Sequence, residues 1–504
     1  MRVALPKALS AAFLALALLL GAASSLDAAS AERPALDDAG LLAAYGFSPE
    51  DLGYVVFDLA TGETLRQRNA DGLFIPASVA KLPTAVTALD ALGGEHRFET
   101  TVLATSVPSA GAVRGDLYLR GGGNPLLDND DLEELVLTLK AAGVREVAGA
   151  FYYDDSMLPR FKRIEPSQPY AATYNPAVGA LTLNFNRVQV RWDTDKRGRT
   201  LAEARAISKT RALPIGHITF GTATAAPDGA PFLLVDTEGA VGAGDRWLMS
   251  PRLKRKGHAW LPVRDPGAAA AEAFRRLAET HGIVLPPPRR GAARTVMVGL
   301  AQHQSEPLAE IARLVLKYSN NLAAELVGLA ASNRLTEARL GLEASSAVME
   351  DRLREAIPGV DWEGFHLANH SGLSSASRVT PAQMAEIVRY ALAHRHGGVA
   401  LAELLPPIRW ESEVNEENDT GPVDLRVRAK TGTMSYGRGL AGYLQTAGGR
   451  MLGFAVFLSD LDARAEMDAR ADPRILLSPP EARAWTKRAR KLEKDLVTAW
   501  LMVL

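Results

Sequence analysis

The chain of 504 residues contains no cysteine. This absence excludes a cysteine nucleophile, a zinc site built from thiolates and every disulfide bond. It leaves the compartment open, because an oxidising space permits disulfide bonds without requiring them. The chain also has no large excess of positive or negative residues. The net charge of −1 gives no electrostatic reason to expect a nucleic-acid partner.

Long apolar runs are absent apart from one near the N-terminus. That run, residues 8–23, follows Arg2 and Lys7 and precedes the small residues Ala29-Ser30-Ala31. This order predicts a secretory signal peptide over residues 1–31. An uncleaved membrane anchor is the alternative, but the run is shorter than the roughly 20 apolar residues that a membrane span needs. We therefore expect an exported protein of the periplasm or cell envelope.

Length and composition predict a large globular protein of two or three domains, with 47% apolar and 23% charged residues. Residues 96–293 show short strand-like runs between glycine- and proline-rich turns, whereas helical patterns are strong on either side. We therefore predict an α/β (α+β) fold in which residues 32–95 and 294–504 form one discontinuous domain. Residues 96–293 are expected to be a β-rich insertion of two nested subdomains.

Three short motifs carry the candidate chemistry, and the first is Ser78-Val79-Ala80-Lys81. A helical pattern begins at this motif, and residues at i and i+3 share one helix face, so the lysine amine can reach the serine hydroxyl. Serine needs a base to take its proton, and lysine can be that base when burial or a second cation lowers its pKa. The helix start also favours the oxyanion that forms during acyl transfer.

The second motif is Ser319-Asn320-Asn321, which follows a predicted helix ending at Tyr318. The Ser319 hydroxyl could pass a proton between Lys81 and the leaving amine. The Asn321 amide could hold the substrate carbonyl and the lysine in place.

The third motif is Lys430-Thr431-Gly432-Thr433, which follows a strand-like run. Lys430 would lower the pKa of Lys81 and attract a substrate carboxylate. Gly432 would let the substrate backbone lie along the strand, and the backbone N–H groups of Ser78 and Thr433 would form an oxyanion hole. The residues expected to contact the substrate are Thr431, Gly432, Thr433, Met434 and Ser435.

The order of the three motifs is more specific than any one of them. A serine three positions before a lysine should occur about once by chance in a chain of this length and average composition. Together, in this order and structural context, the motifs are typical of penicillin-binding proteins and class A β-lactamases.

The sequence resembles the class C low-molecular-mass penicillin-binding proteins, the D-alanyl-D-alanine carboxypeptidase/endopeptidase family. The long interval between Ser78 and Ser319 matches the large insertion of that family. The resemblance extends over nearly the whole chain after the predicted signal peptide. It includes the glycine-rich run 115–125, Ser371-Gly372-Leu373-Ser374, Arg428–Ser435 and Leu440-Ala441-Gly442-Tyr443.

This resemblance implies a serine β-lactamase/transpeptidase-like domain with a large insertion. It implies a D-alanyl-D-alanine carboxypeptidase, with or without endopeptidase activity, that acts on peptidoglycan stem peptides and is acylated by β-lactams. No cofactor and no metal are implied. The residues that match the catalytic positions of the family are Ser78, Lys81, Ser319, Asn321 and Lys430.

The chain departs from the family pattern at positions linked to recognition of the substrate side chain. The usual arginine after the Ser-Gly-Leu-Ser segment is Ser375, with Arg378 nearby, and the acidic residue that the family often carries in the insertion is not evident around Gln168-Pro169-Tyr170. An acidic run at 411–419 replaces a Gly-Thr-Leu segment. Two smaller changes are Asn124 for aspartate and Asn369-His370 for Asp-Gly.

Other interpretations stay open at this point. A β-lactamase or esterase on the same fold would need fast deacylation, and the long insertion speaks against it. A non-catalytic scaffold would be expected to have lost the nucleophile or the base, and both are present. His366 and His370 could be metal ligands on a helix, but no acidic third ligand is suitably spaced. The basic run 487–494 could make peripheral contact with anionic lipid, although a solvated helix face is favoured.

Overall fold

A computed structural model describes residues 37–235, 244–294, 297–409 and 423–504. The predicted signal peptide and the acidic run at 411–419 lie outside the described residues. No helix within these ranges combines the length and the apolar character that a membrane span requires.

The described helices are α1 (Asp38–Tyr45), α2 (Lys81–Leu92), α3 (Asn129–Ala141), α4 (Pro266–Thr280), α5 (Leu308–Tyr318), α6 (Asn321–Thr336), α7 (Leu342–Ala356), α8 (Pro381–Ala393), α9 (Leu401–Leu404), α10 (Leu461–Ala469) and α11 (Pro480–Val503). Single turns of 3-10 helix occur at Pro49–Asp51, Ala77–Ala80 and Asn184–Asn186.

The described strands are β1 (Leu52–Asp58), β2 (Thr64–Arg68), β3 (Glu99–Ala104), β4 (Ala112–Val113), β5 (Leu117–Gly121), β6 (Glu146–Val147), β7 (Phe151–Asp154), β8 (Arg187–Thr194), β9 (Thr200–Ile207), β10 (Ala212–Pro214), β11 (Thr219–Thr222), β12 (Phe232–Val235), β13 (Arg246–Met249), β14 (Lys256–Pro262), β15 (Pro288–Arg290), β16 (Val298–Gln304), β17 (Arg395–His396), β18 (Val399–Ala400), β19 (Pro407–Arg409), β20 (Val423–Met434), β21 (Gly437–Gln445) and β22 (Met451–Ser459).

The central feature is a six-stranded antiparallel sheet in the order β19-β20-β21-β22-β1-β2. It joins the two ends of the chain, because β1 pairs with β22 along its whole length. The hairpin formed by β1 and β2 near residue 60 and the strands β21 and β22 near the C-terminus are therefore neighbours in one sheet. The mixed helix-and-sheet class predicted from the sequence is confirmed.

Helices cover both faces of this sheet. Side chains alternate across a strand, so Val55 and Phe57 of β1 pack on one side with residues of α2, α5, α6 and α8. Tyr54 and Val56 pack on the other side with Trp485 and other residues of α11. Burial on both faces explains why every residue of β1 is buried and the strand shows no polar alternation.

Three larger sheets of the middle region lie between α2 and α5 in the chain. One has five strands in the order β15-β7-β5-β3-β16, and the strands of the other two fall between β7 and β15. Two sheets are thus inserted in the chain between strands of a third, and we infer that the middle region consists of nested subdomains. Since β16 pairs with β3, the predicted boundary after residue 293 falls inside the five-stranded sheet.

The ends of several helices follow from their sequences. Thr380 caps α8 by accepting a hydrogen bond from the backbone N–H of Gln383, whose side chain bonds back to the N–H of Thr380. Asn320 caps α6 through the N–H of Ala323. These polar caps satisfy backbone N–H groups at the N-terminal ends of α6 and α8.

The C-terminal helix α11 is amphipathic, as the sequence predicted. Trp485, Leu492, Val497 and Leu501 are buried against the central sheet. The side chain of Trp500 is also buried, with its ring centroid 5.2 Å from Tyr54 and 5.8 Å from Phe454.

We predict that Trp500→Ala lowers the free energy of unfolding by about 3–5 kcal/mol, because it removes a fully buried ring and leaves a cavity. Urea denaturation followed by intrinsic fluorescence measures this change. Met502→Ala on the same helix is the control, since that side chain is 68% exposed and its loss should leave stability unchanged. Equal stability of the two variants would contradict the packing described here.

Candidate active site

The Ser78 motif forms a tight turn that leads into α2. Residues Ala77–Ala80 make one turn of 3-10 helix, and Lys81 begins the α-helix. The predicted contact is present, with 2.9 Å between Lys81 Nζ and Ser78 Oγ. Ala77 has a φ of 45°, a backbone conformation that residues with a Cβ rarely adopt. Such local strain is common where a structure holds a reactive group in place.

The Lys81 amine is completely buried and has three fixed neighbours. Ser78 Oγ is one neighbour, and the Nζ donates to the other two, Asn321 Oδ1 and the backbone carbonyl of Ser371, both at 2.7 Å. A neutral amine has two N–H donors and one lone pair. If Asn321 and Ser371 take the two donors, the lone pair faces the Ser78 hydroxyl, as a base requires.

Charge and burial both favour the neutral form of this amine. Burial lowers the pKa of Lys81 well below its usual value, and the positive charge of Lys430 lowers it further. The negative charge of Glu325 acts in the opposite direction. The effect of Lys430 has the direction expected from the sequence, whereas the effect of Glu325 was not anticipated.

The third motif lies within a strand rather than after one. Strand β20 runs through Lys430 to Met434, so the motif forms part of the central sheet. Gly432 lies directly against the turn before α2, since a Cβ on it would be 2.5 Å from the Pro76 carbonyl oxygen and 3.0 Å from the Ser78 nitrogen. The glycine is therefore required for the close approach of β20 to the nucleophile.

Lys430 is buried beside a second cation. Its Nζ donates to the Thr431 carbonyl at 2.6 Å. Burial, together with the charge of Arg438 on β21, lowers the pKa of Lys430 to about 7.

An ion pair that the sequence did not reveal supports Thr433. Arg438 makes two hydrogen bonds to the buried carboxylate of Glu493 on α11, at 2.7 and 3.0 Å. Its Nη1 also donates to Thr433 Oγ1 at 2.5 Å. Because the threonine oxygen accepts from Arg438, its own hydrogen can point towards a substrate carboxylate.

The second motif occupies the break between α5 and α6. Ser319 ends α5 in the left-handed conformation, with a φ of 57°, and Asn321 begins α6. The Asn321 Nδ2 donates to the backbone carbonyl of Tyr174, 2.9 Å away, in the middle region of the chain. Among the hydrogen bonds of the described residues, none joins the Ser319 hydroxyl to Lys81, so its proton-transfer role stays a prediction.

The Ser-Gly-Leu-Ser segment contributes a backbone group, rather than a side chain, to the surroundings of Lys81. Ser371 supplies the carbonyl that accepts from Lys81. Gly372 has a φ of 70°, and a Cβ there would lie 1.9 Å from the Ala77 carbonyl oxygen. Every residue has a backbone carbonyl, so no sequence pattern predicts that the one of Ser371 accepts from Lys81. Sequence reasoning missed this contact for that reason.

His370 is a buried structural residue and not part of a helix. Its Nε2 lies 2.7 Å from Ser345 Oγ, and its ring packs on Gly328 of α6, where a Cβ would be 2.2 Å from the imidazole. Burial lowers the pKa of His370 to about 3, so the ring is neutral. The pairing of His370 with Gly328 explains how the segment accommodates histidine. Residues 366–370 are not helical, so the helical spacing on which the metal interpretation of His366 and His370 rested is absent.

Ser375, at the position of the expected arginine, is bonded to α10. Its Oγ donates to Asp468 Oδ2 at 2.7 Å, and Asp468 also accepts two hydrogen bonds from Arg464. The Arg464 Nη1 contacts the carbonyl of Ser435 at 3.3 Å. Helix α10 therefore borders the end of the motif that is expected to bind substrate.

The chain after α10 continues to the middle region. The Pro473 carbonyl accepts from the N–H of Tyr170 at 2.7 Å, and the N–H of Leu476 donates to the Gly229 carbonyl at 3.0 Å. Residues 461–479 therefore contact both Ser375 and the middle region of the chain, at Tyr170 and Gly229.

One group of side chains in the described ranges is close enough to hold a metal ion. Asp131, Glu134 and His303 offer ligand atoms within 4.8 Å of one another. These residues belong to α3 and β16, not to the site around Ser78. The arrangement around Ser78 instead contains a nucleophile, a buried amine and a strand edge suited to acyl transfer.

Comparison with known protein families identifies the chain. The family described as D-Ala-D-Ala carboxypeptidase 3 (S13) matches residues 41–476. The chain belongs to this family. Membership in the S13 family confirms the predicted resemblance and the predicted class of enzyme, a serine peptidase.

Two relatives and one solved structure agree with this membership. The D-alanyl-D-alanine carboxypeptidase of Actinomadura sp. (strain R39) is 29% identical over 416 residues, which cover 78% of this chain and 74% of the relative. The D-alanyl-D-alanine carboxypeptidase DacB of Haemophilus influenzae is 24% identical over 424 residues, 81% and 85% of the two chains. The crystal structure of penicillin binding protein 4 (dacB) from Haemophilus influenzae is similar in fold, with a TM-score of 0.71 at 20% identity over 93% of this chain and 100% of that one.

We predict that Gly432→Ala lowers the rate of acylation by a fluorescent penicillin by about 100-fold, because the added methyl displaces the turn that carries Ser78. Stopped-flow fluorescence measures the rate. Gly299→Ala is the matched control, since no atom lies within 4 Å of a Cβ on this strand residue. A rate for Gly432→Ala close to that of the control would refute the close approach.

We also predict that Lys430→Gln moves the acid limb of the pH profile of acylation to higher pH, by about one unit. The substitution removes the positive charge that lowers the pKa of Lys81, so the amine stays protonated to a higher pH. Acylation rates measured between pH 5 and pH 10 give the limb. Lys140→Gln, an exposed lysine on α3, should leave it in place. A limb that is unchanged in Lys430→Gln would contradict the coupling of the two lysines.

Proposed function

We propose that the chain is a serine-type D-alanyl-D-alanine carboxypeptidase that cleaves peptidoglycan stem peptides through an acyl-enzyme on Ser78. The observation that carries this proposal is the buried Lys81 amine, 2.9 Å from Ser78 Oγ, with its other two bonds directed to Asn321 and Ser371. Membership in the S13 family supports the substrate class.

In the acylation step, Lys81 takes the hydroxyl proton as Ser78 Oγ forms a bond to the carbonyl carbon of the penultimate D-alanine. The negative charge on the former carbonyl oxygen faces the backbone N–H groups of Ser78 and Thr433. The C–N bond then breaks, and the leaving amine receives the proton from Lys81 by way of the Ser319 hydroxyl. Asn321 holds the lysine during both transfers.

The terminal carboxylate of the substrate is assigned to the end of β20. Lys430 supplies positive charge, and the hydroxyl groups of Thr431 and Thr433 supply hydrogen-bond donors. Thr433 is suited to this role because Arg438 already occupies its acceptor side. Gly432, Met434 and Ser435 complete the surface along which the substrate backbone lies.

Water completes the reaction by hydrolysing the ester on Ser78. In a β-lactam the attacked amide is part of a ring, so the leaving amine stays attached to the acyl group after the bond breaks. We therefore expect penicillins to leave a long-lived adduct on Ser78. Peptides cross-linked through a D-alanine carbonyl present the same bond type, which would give the enzyme endopeptidase activity as well.

The proposed place of action is the periplasm or cell envelope. Stem peptides are found there, and the predicted signal peptide over residues 1–31 would direct export. Lys487, Arg488, Lys491 and Lys494 are exposed on α11, whose apolar face is buried, so any membrane contact would be peripheral.

We predict that incubation with penicillin adds the mass of one penicillin molecule to the wild-type protein and nothing to Ser78→Ala. The variant keeps the fold but lacks the oxygen that forms the ester. Intact-mass spectrometry measures the adduct, and thermal denaturation of both proteins checks that the variant is folded.

The same experiment separates the alternatives. A β-lactamase would consume the penicillin and return to its original mass, and a non-catalytic scaffold would never form the adduct. Release of D-alanine from purified stem peptides, compared with cleavage of cross-linked dimers, then distinguishes carboxypeptidase from endopeptidase activity. A penicillin adduct on Ser78→Ala would overturn the assignment of the nucleophile.

A further inference from the structure

Glu325 is a buried carboxyl group directly behind the candidate active site. It lies on α6 one helical turn after Asn321, and its side chain is completely buried. Residues at i and i+4 share a helix face, so Asn321 and Glu325 point towards the same part of the structure. The sequence motifs do not include this residue.

The Glu325 carboxyl group holds the peptide segment that supports Lys81. Its Oε1 accepts from the backbone N–H of Ser371 at 2.9 Å, and its Oε2 accepts from that of His370 at 3.1 Å. The carbonyl of the same Ser371 accepts from the Lys81 Nζ at 2.7 Å. Ser371 therefore donates its backbone N–H to Glu325 and accepts a hydrogen bond from Lys81 with its backbone carbonyl.

The hydrogen bonds to this carboxyl group favour its ionised form, against the effect of burial. Both of its oxygens accept from N–H donors, which suits a carboxylate, whereas a protonated acid would need an acceptor for its own hydrogen. Burial raises the pKa of Glu325, and the hydrogen bonds from Ser371 and His370 and the charge of Lys81 act against that rise.

The charged groups that face Lys81 come from two elements. Lys430 on β20 disfavours the protonated amine, and Glu325 on α6 favours it. His370, from the segment between α7 and α8, contributes no charge because its ring is neutral. When Lys81 takes the proton of Ser78 it becomes a buried cation, and a buried cation needs a nearby anion. Glu325 is the group placed to supply it.

We propose that Glu325 is a positioning residue for the acylation step: it fixes the Ser371 carbonyl against the Lys81 amine and balances the positive charge that this amine gains. The proposal rests on the proposed roles of Ser78 and Lys81.

The test is Glu325→Gln, assayed by stopped-flow acylation with a fluorescent penicillin between pH 4 and pH 10. Glutamine has nearly the same shape, but it carries no charge and turns an N–H donor towards one of the two backbone N–H groups. We expect the maximal acylation rate to fall at least tenfold. We also expect the acid limb to move to lower pH by about one unit, because the loss of the anion lowers the pKa of Lys81.

The matched control is Glu350→Gln. Glu350 on α7 is also buried and also accepts a backbone hydrogen bond from the same segment, from the N–H of Leu367 at 2.7 Å. It pairs with Arg354 and is not among the charges acting on Lys81. Glu350→Gln should therefore keep the acid limb of the wild type, even if the protein is less stable.

Glu325→Asp keeps the negative charge on a shorter side chain. We expect its acid limb to stay within about 0.3 units of the wild type, while its maximal rate falls because the Ser371 peptide is held less firmly. This variant decides the matter if Glu325→Gln does not fold. A maximal rate equal to that of the wild type would then overturn the proposal.

An acid limb that does not move in folded Glu325→Gln would overturn the proposal, as would a maximal rate within twofold of the wild type. Failure of the proposed function has a different signature. In that case the wild-type protein forms no penicillin adduct, or Ser78→Ala forms one, whatever residue stands at position 325.

Discussion

The Lys81 amine is completely buried, and the residues around it stabilise it in that environment. A buried amine is tolerated only if its N–H groups find acceptors and its charge is controlled. Asn321 and the Ser371 carbonyl supply the acceptors, while Lys430 and Glu325 set opposing charges on either side. Asn321 and Glu325 come from α6, Ser371 from the segment after α7 and Lys430 from β20, so these parts of the chain meet α2 at the buried amine.

Close backbone contacts are the second requirement of this arrangement. Gly432 brings β20 onto the turn that carries Ser78, and Gly372 brings the Ser371 segment onto the carbonyl of Ala77. A side chain at either position would separate the nucleophile from its neighbours. The glycines of the two motifs therefore act through packing, and the polar residues beside them act through hydrogen bonds and charge.

The departures from the family pattern fall into two groups. The change to His370 has a local explanation, because Gly328 of α6 has no side chain and leaves space for the imidazole ring. Ser375 belongs to a longer-range change, because it is bonded to Asp468 of α10, and the chain that follows α10 reaches Tyr170 and Gly229. The motifs proposed to break the bond match the family pattern, whereas the positions expected to meet the substrate side chain depart from it.

The local sequence was enough to predict the mixed fold class, the helix that follows Ser78, the helix that ends at Tyr318 and the three motifs, because helix-face spacing, turn residues and caps act over a few positions. It also placed Ser78 and Lys81 within reach of each other. Only the tertiary structure decided that Ser371 would offer its carbonyl, that Glu325 would stand behind it, and that Arg438 would pair with Glu493. These contacts join residues far apart in the chain, and a buried charge acquires its meaning from neighbours that no local pattern specifies.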